Sequence, residues 1–151
     1  MDYASLIRQA LALAEEDAWY VPLMANVSAL IADAMTDVNW AGFYIVRGGG
    51  LVLGPFQGKA ACIHIAPGRG VCGTALAEDR TVRVSDVHTF AGHIACDAAS
   101  NAEIVIPVHA GGSVAAVLDI DSPKRDRFSP EDQTGLEALV AALEGVMRFE
   151  R

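Results

Sequence analysis

The chain has 151 residues, 19 acidic against 11 basic side chains and a formal net charge of −8. Such a length fits one domain that buries about 68–70 % of the surface its unfolded chain exposes, so neither a metal nor a disulfide staple is required. Net negative charge repels phosphate backbones and anionic headgroups, which speaks against nucleic acid and membranes as partners. The amino terminus shows no basic region ahead of an apolar run, and no stretch approaches the roughly eighteen apolar residues of a membrane span. A cytoplasmic chain forming one domain over residues 1–151 is therefore expected.

Residues 3–16 are predicted as an amphipathic helix. A second helix follows, because Leu23, Val27, Leu30, Ile31 and Ala34 share one face at helical spacing. The period then changes. Asn39 to Val46 reads as a strand, Gly48-Gly49-Gly50 as a turn, and Leu51 to Phe56 as the returning arm of a hairpin. Ala60 to Ile65 is predicted as a third short strand, with Cys62 on it.

Pro67-Gly68-Arg69-Gly70 interrupts the sheet, and Val71 to Glu78 is predicted as a short helix carrying Cys72 near its start. Unpaired backbone N–H groups and the positive end of the dipole in that first turn favour a thiolate, so a lowered pKa is expected for Cys72. Thr81 to Val84 is another strand. Ile104 to His109 pairs with Val114 to Asp121 as a second hairpin across Ala110-Gly111-Gly112-Ser113. Ser129-Pro130-Glu131-Asp132 opens a last helix with an N-cap serine, a proline in the first turn and two acids, and that helix is predicted to reach the carboxyl terminus. The basic cluster Lys124-Arg125-Asp126-Arg127 is interrupted by an acid and reads as a solvated loop.

From Ser85 to Ala102 the sequence has little periodicity, which is long for a connection inside a compact domain. Phe90, Ile94, Cys96 and several alanines make it too apolar to stay solvated. A packed loop over a pocket, with Cys96 in it, is the expectation.

Three cysteines cannot all pair within one chain, so a free or cycling thiol remains. Cys72 and Cys96 stand among Gly, Ser, Asn, His and Asp, a setting for accessible thiols. Cys62, in Ala61-Cys62-Ile63, also fits a small buried hydrophobe. In a reducing compartment a disulfide is transient, catalytic or redox-sensing.

Alternation along Val114 to Asp121 puts Asp119 and Asp121 on one strand face with Val117. Aspartate is depleted in strands; Asp121-Ser122-Pro123 also reads as the start of a turn, but Asp119 has no such explanation. Glu103, beginning the partner strand, brings a third carboxyl group. Like charges held close cannot all ionise, so one member of the set keeps a proton and becomes a general acid. Trp40 and Tyr44 flank Gly42 on one strand face. They read either as core packing or as two walls around a gap for a methyl or cationic group. His64, His88, His93 and His109 show no metal-ligand spacing with each other or with the cysteines, so no metal is expected. His93 can polarise the Cys96 loop or serve it as a structural hydrogen bond.

Taken together, Asn39-Trp40-Ala41-Gly42-Phe43-Tyr44, Leu53-Gly54-Pro55-Phe56-Gln57-Gly58, Gly68-Arg69-Gly70-Val71-Cys72-Gly73-Thr74, Gly92-His93-Ile94-Ala95-Cys96-Asp97-Ala98-Ala99-Ser100-Asn101 and Val117-Leu118-Asp119-Ile120-Asp121-Ser122-Pro123 resemble the free methionine-(R)-sulfoxide reductases, which are single GAF-domain enzymes. The resemblance implies an α+β, GAF-like fold with a central antiparallel β-sheet flanked by helices. It implies Cys96 as nucleophile, Cys62 as the thiol that resolves it and Cys72 as an auxiliary thiol. Glu103, Asp119 and Asp121 take the positions of the acid and substrate-binding carboxylates, Trp40 and Tyr44 those of the aromatic walls. Backbone N–H groups of the segment from Ile94, through Ala95, to Asp97 are candidates for the substrate carboxylate. Thioredoxin or a similar dithiol is the implied external reductant, no bound cofactor is implied, and a homodimer is a candidate assembly. The rival readings are a GAF sensor that binds a small ligand without turnover, weakened by the lack of an attached output domain, and a thiol peroxidase using Cys96 alone.

Overall fold

The computed structural model describes residues 1–92 and 99–150. Helix α1 (Tyr3–Glu16) starts at Asp2, whose carboxylate accepts from the Ser5 backbone N–H, and buries Leu6, Ala10 and Ala14 at four-residue intervals. Helix α2 (Tyr20–Ala34) buries Leu23, Met24, Val27, Ser28 and Ile31. Its buried face is rotated from the predicted one: Ala34 is exposed and Leu30 half-buried. Ser28 is accommodated in that face because its hydroxyl donates to the Met24 carbonyl at 2.7 Å.

Among the described residues six strands follow: β1 (Trp40–Arg47), β2 (Gly50–Gln57), β3 (His64–Ile65), β4 (Val82–Val84), β5 (Ala102–Ala110) and β6 (Ser113–Ser122). They form one sheet in the order β3-β2-β1-β6-β5-β4, with every neighbouring pair antiparallel. Helix α3 (Gly70–Glu78) lies between β3 and β4 in sequence, and α4 (Pro130–Glu144) follows β6. The architecture is α+β, a central antiparallel sheet with helices on both faces, as the resemblance implied.

Period-two alternation divides the strands between two interiors. Ala41 and Phe43 of β1, Ile104, Ile106 and Val108 of β5, and Leu118 and Ile120 of β6 pack against the side carrying α1, α2 and α4. Each such large side chain contributes about 1.5–3 kcal/mol by leaving water. On the opposite face Trp40, Tyr44, Val105 and Val117 meet Val71, Cys72 and Ala75 of α3.

Two segments depart from the predicted elements. β3 is confined to His64–Ile65, so Cys62 is not on a strand. In the preceding backbone two carbonyls serve side chains: the Trp40 indole N–H donates to the Lys59 carbonyl and the Tyr44 hydroxyl to the Cys62 carbonyl, each at 3.0 Å, while the Ile63 carbonyl still accepts from the Leu53 N–H at 2.8 Å. Helix α4 has the predicted Ser129 cap, completed by Asp132 into a reciprocal capping box. It ends at Glu144 rather than at the terminus. Beyond it Arg148 donates its N–H to Ala18 and accepts from the Tyr20 N–H, both at 2.8 Å, a bridge that a continuing helix could not form.

Within the connection from Ser85 to Ala102, a 3-10 turn at Val87–Thr89 is capped by the Asp86 carboxylate, and Val87 is buried. The expected packed loop around Cys96 lies outside the described residues. Among the described residues no helix is long and apolar enough to cross a membrane.

Candidate active site

Strand register assembles the site. Asp121 of β6 lies opposite Glu103 of β5 on one side and Trp40 of β1 on the other; Asp119 lies opposite Val105 and Gly42. Because residues two apart on a strand share a face, Asp119, Asp121, Glu103, Trp40 and Tyr44 all face away from α1, α2 and α4. Helix α3 crosses β5 and β6 on that face. It brings the Cys72 sulfur to 3.8 Å from Glu103 Oε2.

These residues line one pocket with Gly70 and Val71 of α3, Ala60, Ala61 and Ile65 along one edge, and Arg69 and Ser100. Glu103 is 8 % exposed, Asp119 5 % and Cys72 4 %. Asp121 is half-buried. Burial holds the Glu103 carboxyl well above the usual glutamate range, and the neighbouring charges of Asp119 and Asp121 push it further. Asp119 is also raised by burial, although hydrogen bonding with Glu103, Cys72 and Asp121 offsets part of the shift. Its Oδ1 is buried without a hydrogen-bond partner. The site therefore retains at least one carboxyl proton where exposed carboxylates have lost theirs, which is what a general acid requires.

Cys72 corrects one expectation. It occupies the first turn of α3, yet burial, followed by the charges of Asp119, Glu103 and Asp121, drives its thiol well above its ordinary pKa. The partial positive charge of a helix end acts over one turn. Desolvation together with three acids outweighs it, so Cys72 is a protonated thiol rather than a ready nucleophile.

The aromatic residues are continuous with one another. Trp40 and Tyr44 stack with ring centroids 5.9 Å apart, and Phe56 stacks on Trp40 at 5.1 Å. A methyl group would meet their joint surface, since the rings leave no slot between them. Gly42 permits this arrangement: a Cβ there would lie 2.3 Å from Phe56 Cβ and 2.9 Å from the Trp40 ring. Gly58, at φ +138°, likewise passes so close to the indole that a Cβ would sit 2.5 Å from it. Tyr44, raised above the usual phenol range first by burial, remains a hydrogen-bond donor to Cys62.

Of the predicted site residues, Trp40, Tyr44, Cys72, Glu103, Asp119 and Asp121 come together in this pocket. Cys62 is half-buried in the segment that edges it and is disulfide-bonded, whereas Cys72 is free. Cys96, Ile94 and Ala95 lie outside the described residues. Three contributors were not anticipated. Phe56 backs the indole. Ser100 lines the wall and accepts from the Asn39 amide at 3.1 Å. Arg69 brings a cation to the rim, and its guanidinium has no ion pair among the described residues. A signal for Arg69 was present, since it is the one charged residue in the Pro67 to Gly70 turn.

Comparison with known proteins agrees with this fold. The GAF domain family model matches residues 23–147. The free methionine-R-sulfoxide reductase of Escherichia coli (strain K12) is 53 % identical over 145 residues, covering 96 % of this chain and 88 % of that protein. The solved structure of Staphylococcus aureus fRMsr in complex with substrate superposes with a TM-score of 0.92 at 46 % identity, over 97 % of this chain and 96 % of that one. The free methionine-R-sulfoxide reductase from Neisseria meningitidis, also solved with its substrate, gives 0.90 at 39 % identity over 95 % and 86 % of the two chains. On these grounds the chain belongs to the free methionine-R-sulfoxide reductase family of GAF-domain proteins.

Proposed function

We propose that this protein reduces free methionine-R-sulfoxide to methionine through a thiol, sulfenic acid and disulfide cycle, with residues 1–151 acting as one catalytic domain. The observation that carries the reading is the buried Glu103, Asp119 and Asp121 set on the same sheet face as the Trp40 and Tyr44 stack. The Cys96 thiolate attacks the sulfoxide sulfur while a protonated carboxyl of the set gives its proton to the sulfoxide oxygen. The oxygen passes to Cys96 as a sulfenic acid, and methionine departs. Cys62 then attacks that sulfenic sulfur, water leaves, and a disulfide remains. The bonded state of Cys62 and the free state of Cys72 support this division of labour. A dithiol such as thioredoxin reduces the disulfide by exchange, which suits a reducing cytoplasm. Unprotonated carboxylates hold the substrate ammonium, the aromatic stack receives its methyl group, and Arg69, with N–H groups of residues 94–97, serves its carboxylate.

Selectivity follows from the burial. A peptide-bound sulfoxide lacks both the free ammonium and the free carboxylate; a buried carboxylate left without its ammonium costs about 2–5 kcal/mol, and the exposed Arg69 loses its partner as well. Discrimination of the order of 10⁴-fold results. Chromatography of a mixed-epimer reaction with a dithiol reductant should show the free R epimer consumed and the free S epimer and N-acetylated or peptidyl sulfoxide left behind. Comparable consumption of a peptidyl substrate would overturn this basis for selectivity, and no consumption of any sulfoxide would restore the ligand-sensor alternative.

A further inference from the structure

The no-metal expectation rested on histidine spacing, which says nothing of donors assembled by tertiary structure. Cys72, Glu103 and Asp119 come from α3, β5 and β6, and the first two are 31 residues apart in sequence. Among the described residues they are the one set of three whose ligating atoms all lie within 4.8 Å of one another, and all three are buried. A tetrahedral zinc ion with bonds of about 2.3 Å to sulfur and about 2.0 Å to oxygen holds those atoms roughly 3.5 Å apart. The Cys72 sulfur and Glu103 Oε2 stand at 3.8 Å. Asp119, 5 % exposed, lines the same pocket with an oxygen that has no hydrogen-bond partner.

We propose that Cys72, Glu103 and Asp119 form a binding site for a zinc-class divalent cation, and that the ion competes with substrate for the pocket. The donor set selects the class: a thiolate disfavours magnesium and calcium, whereas one sulfur and two oxygens suit zinc or cobalt. Three protein ligands leave a fourth position open to the pocket, as in zinc sites that retain an exchangeable ligand. Binding takes the proton from the Cys72 sulfur and releases it to solvent. The carboxylates that hold the ion are then withdrawn from the polar end of a substrate. The ion is an occupant from outside, and the reductase cycle has no step through it.

Cobalt(II) tests this without reference to turnover, so the outcome is separable from that of the proposed reaction. A C62S/C96S double variant leaves Cys72 as the sole thiol. Titration should give a one-to-one thiolate-to-cobalt charge-transfer band that zinc displaces and that an added Cys72→Ser change removes. Glu103→Gln or Asp119→Asn in that background should weaken binding at least about tenfold, with circular dichroism confirming the fold. Oxidised wild-type protein, with Cys62 bonded and Cys72 free, provides the same readout should the double variant fail to fold. In the C62S/C96S variant, which cannot turn the substrate over, free methionine sulfoxide should raise the apparent Kd for zinc in proportion to its concentration. Absence of the band at millimolar cobalt in folded protein, a band indifferent to both carboxylate changes, or zinc affinity unmoved by saturating sulfoxide would each overturn the proposal.

Discussion

The two faces of the sheet are made by the same strands and differ in almost everything else. Toward α1, α2 and α4 the strands present Phe43, Ile104, Ile106, Leu118 and Ile120, all apolar and buried. One residue after each of Leu118 and Ile120, Asp119 and Asp121 face a pocket instead. Parity along β6 therefore separates groups that hold the fold from groups held at a cost by it. Burying two carboxyl groups beside a thiol lowers stability unless protons or a ligand compensate. The three-helix face supplies that stability.

Chemistry on the pocket face should fail first and most completely. Cys96→Ser should abolish even a single turnover in a stoichiometric assay, whereas Cys62→Ser should keep the first turnover and lose recycling by thioredoxin. One methionine per chain from the Cys96 variant would move the nucleophile elsewhere. Next in size, Glu103→Gln or Asp119→Asn should lower turnover by about 10²–10⁴-fold for the member acting as acid, with the melting temperature unchanged or higher. Ile120→Ala, between the two aspartates in sequence but on the other face, should do the reverse. It should cost about 2–5 kcal/mol in denaturant unfolding while activity per folded molecule persists.

A smaller effect appears with pH. Glu103 and Asp119 have folded pKa values above their ordinary 4.5 and 3.8. The folded chain thus keeps protons that the unfolded chain has released, and their contribution is full below the ordinary carboxylate range and lost as pH rises through the folded values. The melting temperature of Glu103→Gln minus that of the wild type should therefore grow as pH is raised from about 4. A constant difference would mean that Glu103 ionises normally.

Least in magnitude is the His109 clasp on the sheet periphery. Hydrogen bonds to Asp79 at 2.6 Å and to Glu144 at 2.7 Å raise its pKa above 6.5, tying the end of α3 to the end of α4. Its contribution is present below pH 6.5 and disappears as pH rises through the folded value. The side chain is 40 % exposed, so the loss should be at most about 0.5 kcal/mol. Wild-type and His109→Gln unfolding curves should converge at alkaline pH.

How much the sequence disclosed varied with the range of the forces involved. Asp119 and Asp121 were legible because alternation along a strand is local, and Ser129 because a cap is decided within four residues. The Cys72 thiol was misjudged for the opposite reason. Its helix end is local, but the burial that reverses the effect, and after it the three acids, come from packing against strands later in the chain. The end of α4 depends on a bridge from Arg148 to Ala18 and Tyr20, and the brevity of β3 on carbonyls claimed by Trp40 and Tyr44; both are invisible without tertiary contacts. Phe56 belonged to a predicted strand, and only its register with Gly42 placed it behind the indole.

The pairing of β1 with β6 at the middle of the sheet sets the order in which the protein can be made. Trp40 and Asp121 are neighbours there although about eighty residues separate them in the chain. A growing polypeptide can close the β1–β2 hairpin early, but the seam has no partner until β6 emerges from the ribosome. Loop closure over that distance must precede its reward. Strand β1 consequently spends most of synthesis with one edge unpaired, where it is open to other chains. Recovery of the pocket in refolding should accordingly be slow and should coincide with formation of this one seam, since its two sides bring the aromatic and the acidic halves of the site together.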